Sequence, residues 1–134
     1  AMLGGVSGNA GLFGNAESCA VVCQMLLDGG RYGGRTLIDA ETIRHYTTYR
    51  HRPSPYALGF DRQRGGGRGN TCEEAPMSTY GHTGFTGTCF WIDPTNQIVY
   101  IFLSNRVAPQ RWNRKLSSLD IRTRIQSVIY DALP

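Results

Sequence analysis

Lysine is almost absent from this chain: all but one of its 14 basic residues are arginine, and Lys115 is the exception. Charged residues make up only 18% of the sequence, against roughly 25% in an average soluble domain, which excludes a disordered polyelectrolyte. Long apolar runs are also missing, since no stretch comes near the length of about 18 apolar residues that a transmembrane helix needs. The 134 residues are therefore expected to form globular structure without a membrane span.

Several common catalytic motifs are absent as well. No GxGxxG opens a helix and no GxxxxGK[ST] occurs, so dinucleotide-binding and Walker-type phosphate loops have no support. No HExxH and no GxSxG occurs, which excludes the common zinc-protease helix and the nucleophile elbow of α/β-hydrolases. The chemistry of this chain must therefore come from another kind of site.

The cysteines predict neither a disulfide framework nor a metal centre. No CxxC is present, and Cys19 and Cys23 stand four residues apart on one face of a predicted helix, where a disulfide rarely forms. The three histidines show no spacing that would complete a zinc site with these cysteines. We expect no metal and no cofactor, and four free thiols that are mostly buried. The remaining two cysteines are Cys72 and Cys89.

The net charge of +4 is mild and does not by itself indicate a partner. Nucleic-acid binding requires clustered basic residues with aromatic side chains between them. The candidates are the glycine-rich segment Arg62–Arg68 and the basic residues of region 106–124. Because the first is a short loop and the second continues into a helix, we do not expect nucleic acid as a partner. RNA binding at Arg62–Arg68 is kept as the weakest hypothesis.

The first half of the chain predicts two helices and much irregular structure. Asn15 is a good N-cap for a helix that ends before Gly29, and Asp39 starts a second short helix. Residues 56–61 are predicted to form a short strand. Residues 62–76, with three consecutive glycines, are predicted to form a mobile loop.

The second half predicts three strands and a helix. Candidate strands cover residues 78–83, 88–92 and 98–103; the second alternates apolar faces and the third is an unbroken apolar run, typical of a strand covered on both sides. A terminal helix is expected from Ser117, with an apolar stripe. The predicted fold class is α+β, an antiparallel three-stranded meander with a C-terminal helix packed on it and an N-terminal helical part. The stripe consists of Ile121, Ile125, Val128, Ile129 and Leu133.

We interpret residues 1–134 as a single fragment. Ala1-Met2 is interpreted as the remnant of an expression tag, residues 3–76 as the helical and loop part, and residues 77–134 as the sheet with its terminal helix. The glycine-rich segment that follows Met2 has the composition expected in the middle of a domain, so we expect the chain to be a piece of a longer protein.

The segment Tyr80-Gly-His-Thr-Gly-Phe-Thr-Gly87 carries a family resemblance. With the strands after it, Ser104-Asn105-Arg106 and the final helix, it resembles the C-terminal part of the serine beta-lactamase and penicillin-binding-protein superfamily. The class C-like branch, with its esterases and D-aminopeptidases, is the most similar. His82-Thr83-Gly84 stands where that family has Lys-Thr-Gly, and the upstream segments 11–30 and 56–60 are also similar to it. The resemblance implies a partial beta-lactamase-like fold.

The resemblance also implies roles for the residues of this segment. His82 would orient a substrate carboxylate or tune proton transfer, Thr83 would position the substrate, and Gly84 would allow close backbone approach. The backbone N–H of Phe85 would be one of two oxyanion donors. The alternative interpretation of His82 is a strand histidine that is hydrogen-bonded to the backbone.

The chain lacks the nucleophile that this chemistry needs. The family uses Ser-x-x-Lys, and none of the serines here has a lysine three positions later. We therefore expect the parent to be a serine hydrolase that cleaves an ester or amide, such as a beta-lactam, a cell-wall peptide or an ester. The 134-residue chain itself is expected to be inactive.

The partners follow from the same interpretation. They are a small-molecule or cell-wall substrate in the parent and the missing N-terminal part of the domain, with self-association through the sheet edge that this part would otherwise cover. By family analogy the parent is expected to be periplasmic or otherwise extracytoplasmic. The alternative function is a non-catalytic accessory module that binds cell-wall glycan or peptide; such a module would be complete, with no unpaired apolar edge.

Overall fold

A computed structural model describes residues 12–49 and 53–134 of the chain. The expectations about Ala1-Met2 and about the opening glycine-rich segment up to residue 11 lie outside these residues. The described part contains, in chain order, the following helices and strands: α1 (Ala16–Leu27), β1 (Arg31–Tyr32), β2 (Arg35–Thr36), α2 (Ala40–Thr48), β3 (Asp61–Arg62), β4 (Tyr80–Thr83), β5 (Cys89–Asp93), β6 (Ile98–Phe102), α3 (Lys115–Ser118) and α4 (Ile121–Asp131).

The main sheet has four antiparallel strands in the order β3-β4-β5-β6, while β1 and β2 form a separate hairpin. The predicted meander β4-β5-β6 is confirmed, and β3 adds a fourth strand that the sequence did not predict in the sheet. The predicted strand at 56–61 is wrong except at Asp61. The Ala57 N–H donates to the Phe60 carbonyl at 2.9 Å and Gly59 has a φ of 82°, so the chain turns there instead of extending.

The two faces of the sheet are covered by different helices. On the α1 side, Cys23 of the helix packs with Tyr80 and Ile92, joined by partly buried residues that include Phe90. On the opposite side, Cys89, Trp91 and Tyr100 form a second cluster that contacts Ile129 of α4. The predicted alternation along β5 and the two-sided covering of β6 are therefore confirmed.

Two predicted helix starts are also confirmed. The Asn15 side chain accepts a hydrogen bond from the Ser18 N–H at 2.8 Å, and the Asp39 side chain accepts one from the Thr42 N–H at 2.8 Å. Each bond satisfies a backbone donor that has no partner within its helix.

The terminal helix differs from the prediction. Ser117 does not cap it but lies inside α3, and α4 begins after Asp120, whose φ of 50° interrupts the helical path. The predicted apolar stripe holds only in part, since Val128 is 67% exposed. The buried position of α4 is instead Gln126, whose Oε1 accepts a hydrogen bond from the Cys72 N–H at 2.9 Å. The Cys72 N–H thereby gains an acceptor, whereas the buried Nε2 of Gln126 has no hydrogen-bond partner among the described residues.

Hydrogen bonds of the Gln63 side chain anchor the loop 62–76, which the sequence predicts to be mobile. The fully buried Gln63 side chain donates to the carbonyl groups of Cys72 and Ala75 at 2.6 and 3.0 Å. Its carbonyl oxygen accepts hydrogen bonds from the Thr71 hydroxyl and the Arg64 N–H. One polar side chain thus replaces the apolar anchor that the sequence seemed to lack. β3 lies at the start of this segment and pairs with β4. The main sheet therefore contains residues from both predicted parts of the chain, 3–76 and 77–134.

All four cysteines carry free thiols, as predicted: Cys19 is half-buried, and Cys23, Cys72 and Cys89 are buried. None of the helices in residues 12–49 and 53–134 has both the length and the apolar character that crossing a bilayer requires.

Candidate active-site wall

The strand β4 leaves one edge open where the sequence predicts the site. β3 pairs with β4 only at Tyr80 and Gly81, opposite Arg62 and Asp61. On the other side β4 is paired with β5 along its whole length. Within the described residues no strand lies beside the outer edge at positions 82–83, so this edge is accessible to an extended ligand.

His82 and Thr83 point to opposite faces of the sheet, because successive residues of a strand alternate. His82 pairs with Phe90 and lies on the α1 face, where it is exposed. Thr83 pairs with Cys89 and is half-buried.

The imidazole of His82 makes one hydrogen bond in the described structure. Its Nδ1 lies 2.7 Å from the Thr83 carbonyl oxygen. Because a carbonyl can only accept, Nδ1 carries the hydrogen, and Nε2 remains available to a ligand. The contact with Thr83 is the backbone hydrogen bond expected if His82 is only a strand histidine. The free Nε2 still allows His82 to contact a substrate.

The turn after β4 fixes the backbone around Phe85. The Gly84 N–H donates to the Thr88 carbonyl at 2.8 Å, and the Gly87 N–H donates to the Gly84 carbonyl at 2.9 Å. The Phe85 N–H has no hydrogen-bond partner among residues 12–49 and 53–134. A Cβ at position 84 would collide with the Thr88 hydroxyl, which gives a local reason for glycine there.

A segment beyond β6 holds this turn in place. The Thr86 carbonyl accepts hydrogen bonds from the Arg106 N–H at 2.9 Å and from the Ser104 hydroxyl at 3.1 Å. The position of the Phe85 N–H therefore depends on residues about 20 positions further along the chain, and sequence spacing gave no sign of this contact.

Arginines that the sequence treated only as a basic region gather around the Phe85 side chain. The Cζ atoms of Arg106 and Arg111 lie 4.9 and 5.5 Å from the centroid of its ring. Phe85, Trp112 and the three arginines Arg106, Arg111 and Arg114 line one surface cavity. The fold brings these arginines to the Phe85 ring from a distant part of the chain. In the sequence, the only related signal was Asn105-Arg106 at the end of a predicted strand.

The other arginine-rich segment, Arg62–Arg68, is largely committed to the fold. Arg62 is buried and donates to the carbonyl groups of Thr47 and Met77. Arg64 bonds to Asp61 at 2.9 Å and lies over the Tyr56 ring, and the bond to Asp61 raises its pKa. The geometry therefore offers the RNA hypothesis no continuous basic surface at this loop.

The three buried thiols are not activated, and the described residues contain no metal centre. Burial raises the pKa of Cys23, Cys72 and Cys89 to about 11, so these thiols are protonated near neutral pH and are poor nucleophiles. Within residues 12–49 and 53–134, no three His, Cys, Asp or Glu side chains come together as metal ligands. Residues 82–85 present an open strand edge, one ring nitrogen of His82 and, among the described residues, an unpaired Phe85 N–H; they supply no attacking group.

Comparison with known proteins places this chain in a family. A sequence model described as Beta-lactamase matches residues 1–120. A protein of Escherichia coli K12 named "Putative D-alanyl-D-alanine carboxypeptidase" is 42% identical over 108 residues, which are 78% of this chain and 24% of that protein. A protein of the same name from Salmonella enteritidis PT4 is 40% identical over 107 residues, again 78% of this chain and 24% of that protein. The chain thus spans about a quarter of the length of these curated relatives.

Among solved structures, a beta-lactamase from Mycobacterium bovis superimposes with a TM-score of 0.67 at 22% identity. The match covers 87% of this chain and 43% of that one. It confirms the predicted partial fold of mixed helix and antiparallel sheet.

Proposed function

Because this chain belongs to the beta-lactamase family, we propose that it forms one wall of the substrate pocket of a serine hydrolase whose nucleophile lies outside these 134 residues. His82, Thr83, Gly84 and Phe85 make up this wall. The reaction is acyl transfer from an amide or ester to a serine, followed by hydrolysis of the acyl-enzyme.

The open edge of β4 and the unpaired Phe85 N–H are the observation that carries this proposal. A strand edge can bind the backbone of an extended acyl substrate, and the N–H that follows can donate to the oxyanion that develops on the attacked carbonyl. One such donor is typically worth about 3–4 kcal/mol of the activation barrier. The two features are close in the chain, because Phe85 follows Thr83 by two residues, so one substrate can contact both.

Two side chains complete the wall. The free Nε2 of His82 offers a hydrogen bond to a substrate on the α1 face of the sheet. Thr83 offers a hydroxyl at the same edge. Gly84 keeps a side chain away from the Thr88 hydroxyl, so the turn can bring the Phe85 N–H to the end of the strand.

The substrate class that we propose is the D-alanyl end of a cell-wall peptide, which the names of the relatives support. An extended peptide also suits a strand edge, because its backbone can continue the sheet. Cell-wall peptide places the parent outside the cytoplasm. The proposal includes the remaining part of the domain as the partner of this chain.

The alternative, a complete accessory module that binds cell-wall glycan or peptide, requires a sheet with no unpaired apolar edge. In the part of the chain that the structure describes, β6 pairs only with β5, and its outer edge is unpaired. This arrangement supports the fragment hypothesis instead.

The test compares the 134-residue chain with a longer chain that carries this segment together with Ser-x-x-Lys. Nitrocefin, p-nitrophenyl acetate and a peptide ending in D-Ala-D-Ala serve as substrates. We expect turnover and an acylated serine, seen as a mass increase, only in the longer chain. Hydrolysis by the 134-residue chain through one of its own serines would contradict the proposal, and so would a longer chain that is folded but inactive on all three substrates.

A further inference from the structure

A cationic cavity lies beside the turn that follows β4 and includes the Phe85 side chain. It has a volume of about 330 Å³ and is lined by Phe85, Arg106, Arg111, Trp112 and Arg114. Its lining residues all belong to the described part of the chain and include no Asp or Glu. The cavity therefore has the electrostatic character of an anion site.

The guanidinium groups in this cavity are not neutralised by the protein. Arg106 and Arg111 both lie within 5.5 Å of the centroid of one phenyl ring. Neither these two nor Arg114 forms an ion pair with a carboxylate of residues 12–49 or 53–134. The positive charges of Arg106 and Arg111 repel each other at this ring. An anion bound between them would attract both and offset the repulsion.

The arginines are partly pre-positioned. Arg106 donates from Nη1 to the Asn113 carbonyl at 3.2 Å, and its backbone N–H is bonded to Thr86. These two bonds help to hold the Arg106 guanidinium over the Phe85 ring, at the lining of the cavity. A guanidinium group that is already held in place loses less conformational entropy on binding a ligand than a freely rotating side chain does.

Two exposed aromatic surfaces complete the cavity. Phe85 is 62% exposed and Trp112 is 76% exposed. Exposed aromatic rings next to guanidinium groups suit a ligand in which an anionic group is attached to a ring or sugar.

We propose that this cavity binds the phosphate group of a phosphorylated ligand. Phosphate presents at least three acceptor oxygens and up to two negative charges, which matches three guanidinium groups that lack carboxylate partners. A single carboxylate has two oxygens and one charge, so it would leave part of this donor set unused. The planar fork of arginine also fits phosphate in a bidentate manner, which lysine cannot do.

This inference goes beyond the proposed hydrolysis and does not depend on it. The binding needs neither the nucleophile nor the strand edge, so the 134-residue chain is sufficient for the test. Failure of phosphate binding would leave the proposed acyl transfer standing, and inactivity of the longer chain would leave phosphate binding standing.

The test is isothermal titration calorimetry of the 134-residue chain with pyrophosphate at low ionic strength, with malonate as the matched dicarboxylate. Trp112 emission locates the site, because the other tryptophan, Trp91, is only 1% exposed. We expect saturable binding of pyrophosphate, at least tenfold tighter than malonate, with a change in emission. Equal or tighter binding of malonate would overturn the assignment to phosphate, and the absence of saturable pyrophosphate binding would overturn the site.

Matched variants separate the cavity from net charge. Arg111→Gln, an exposed change, is expected to weaken pyrophosphate binding at least tenfold, and Arg106→Gln at least as much. Arg124→Gln removes the same charge from an exposed position on α4, and we expect less than a twofold change. Equal losses in Arg111→Gln and Arg124→Gln would show non-specific attraction and overturn the proposal. Circular dichroism checks that each variant is folded. If Arg106→Gln is unfolded, the result for Arg111→Gln alone decides the test.

Co-sedimentation with vesicles identifies the source of the phosphate. Phosphatidylglycerol vesicles are compared with phosphatidylcholine vesicles, which have no net charge. Binding to the anionic vesicles that is lost in Arg111→Gln supports phosphate recognition and assigns it to a lipid surface. Binding of pyrophosphate without vesicle binding supports a soluble or polymeric phosphorylated ligand.

Discussion

The two outer edges of the main sheet differ in chemistry. At the edge of β4, the short strand β3 pairs with the first two residues, and within the described residues it leaves His82 and Thr83 without a neighbouring strand. At the edge of β6, the whole strand Ile98–Phe102 lacks an outer neighbour in the described structure. The first edge is polar and open over a few residues, whereas the second is apolar and open over its full length.

The difference shows what each edge can recognise. Unpaired backbone groups on a long apolar strand pair readily with any other strand, and natural proteins protect such edges with charge, proline or a covering segment. β6 has none of these residues within Ile98–Phe102, so we infer that another strand covers it in the whole protein. The edge of β4 can hold only a short extended ligand, which is appropriate for a substrate.

The largest expected effect concerns β5, the strand that supports both edges. Trp91→Ala removes a side chain that is 1% exposed, and we expect a loss of about 3–5 kcal/mol in the free energy of unfolding. Trp112→Ala is the matched control, because Trp112 is 76% exposed and its loss should change stability by less than about 0.5 kcal/mol. Urea denaturation measures both. Similar losses in the two variants would mean that β5 does not carry the sheet.

The next effect concerns the loop that borders the edge of β4. Gln63→Ala leaves the Cys72 and Ala75 carbonyl groups without their donor, and we expect a loss of about 1–3 kcal/mol. The exposed Gln110→Ala is the control and should have little effect. Denaturation of both variants tests whether Gln63 holds the loop. A loss no greater than that of the control would restore the mobile loop that the sequence predicts.

The third effect concerns the edge of β6. The double variant Ile98→Lys with Leu103→Lys places a charge at each end of β6. We expect self-association of the 134-residue chain to weaken at least tenfold. Ile125→Lys with Val128→Lys adds the same charge on the exposed side of α4 and should leave association unchanged. Sedimentation velocity over a concentration series measures this. A chain that stays monomeric at every concentration would show that the edge does not drive pairing.

The smallest effect compares how readily local opening exposes two buried thiols, Cys89 at the start of β5 and Cys72 in the loop held by Gln63. Burial raises the pKa of both Cys72 and Cys89 to about 11, so their thiolate fractions are equally small and alkylation reports local opening. Cys89 begins the central strand β5 and lies between Thr83 of β4 and Phe102 at the end of β6, whereas the backbone of Cys72 is bonded to Gln63 and Gln126. We expect iodoacetamide at pH 8 to modify Cys89 several-fold faster than Cys72, as followed by peptide mass spectrometry. The reverse order would mean that the loop held by Gln63 opens more readily than the strand ends around Cys89.

Local rules predicted much of this fold. The caps at Asn15 and Asp39 and the alternation of Phe90 and Trp91 depend on neighbours within a few residues, so the sequence was sufficient. The start of α4 was missed because Asp120, at its N-cap, has a left-handed backbone and makes no side-chain cap hydrogen bond, so the usual capping signals do not mark it.

The site was predictable only in part. The order of motifs around His82 pointed to the correct family, and an unpaired Phe85 N–H agrees with the role that the resemblance implied. The support of Thr86 by Ser104 and Arg106 joins segments about 20 residues apart, so no local pattern could reveal it. The same holds for the gathering of arginines at Phe85, which depends on how the chain returns after β6.

The most direct test of the pocket wall compares Phe85→Pro with Phe85→Leu in the longer chain that carries Ser-x-x-Lys. Proline removes the backbone N–H donor at position 85, and it also fixes φ at about −65° and restricts the backbone of Gly84. The φ of Phe85 is not positive, so its sign is compatible with proline. We expect kcat to fall about 10²–10³-fold in Phe85→Pro and less than tenfold in Phe85→Leu, with both proteins folded. Equal kcat values in the two variants would show that the Phe85 N–H does not stabilise the transition state, and the wall at 82–85 would lose its assigned function.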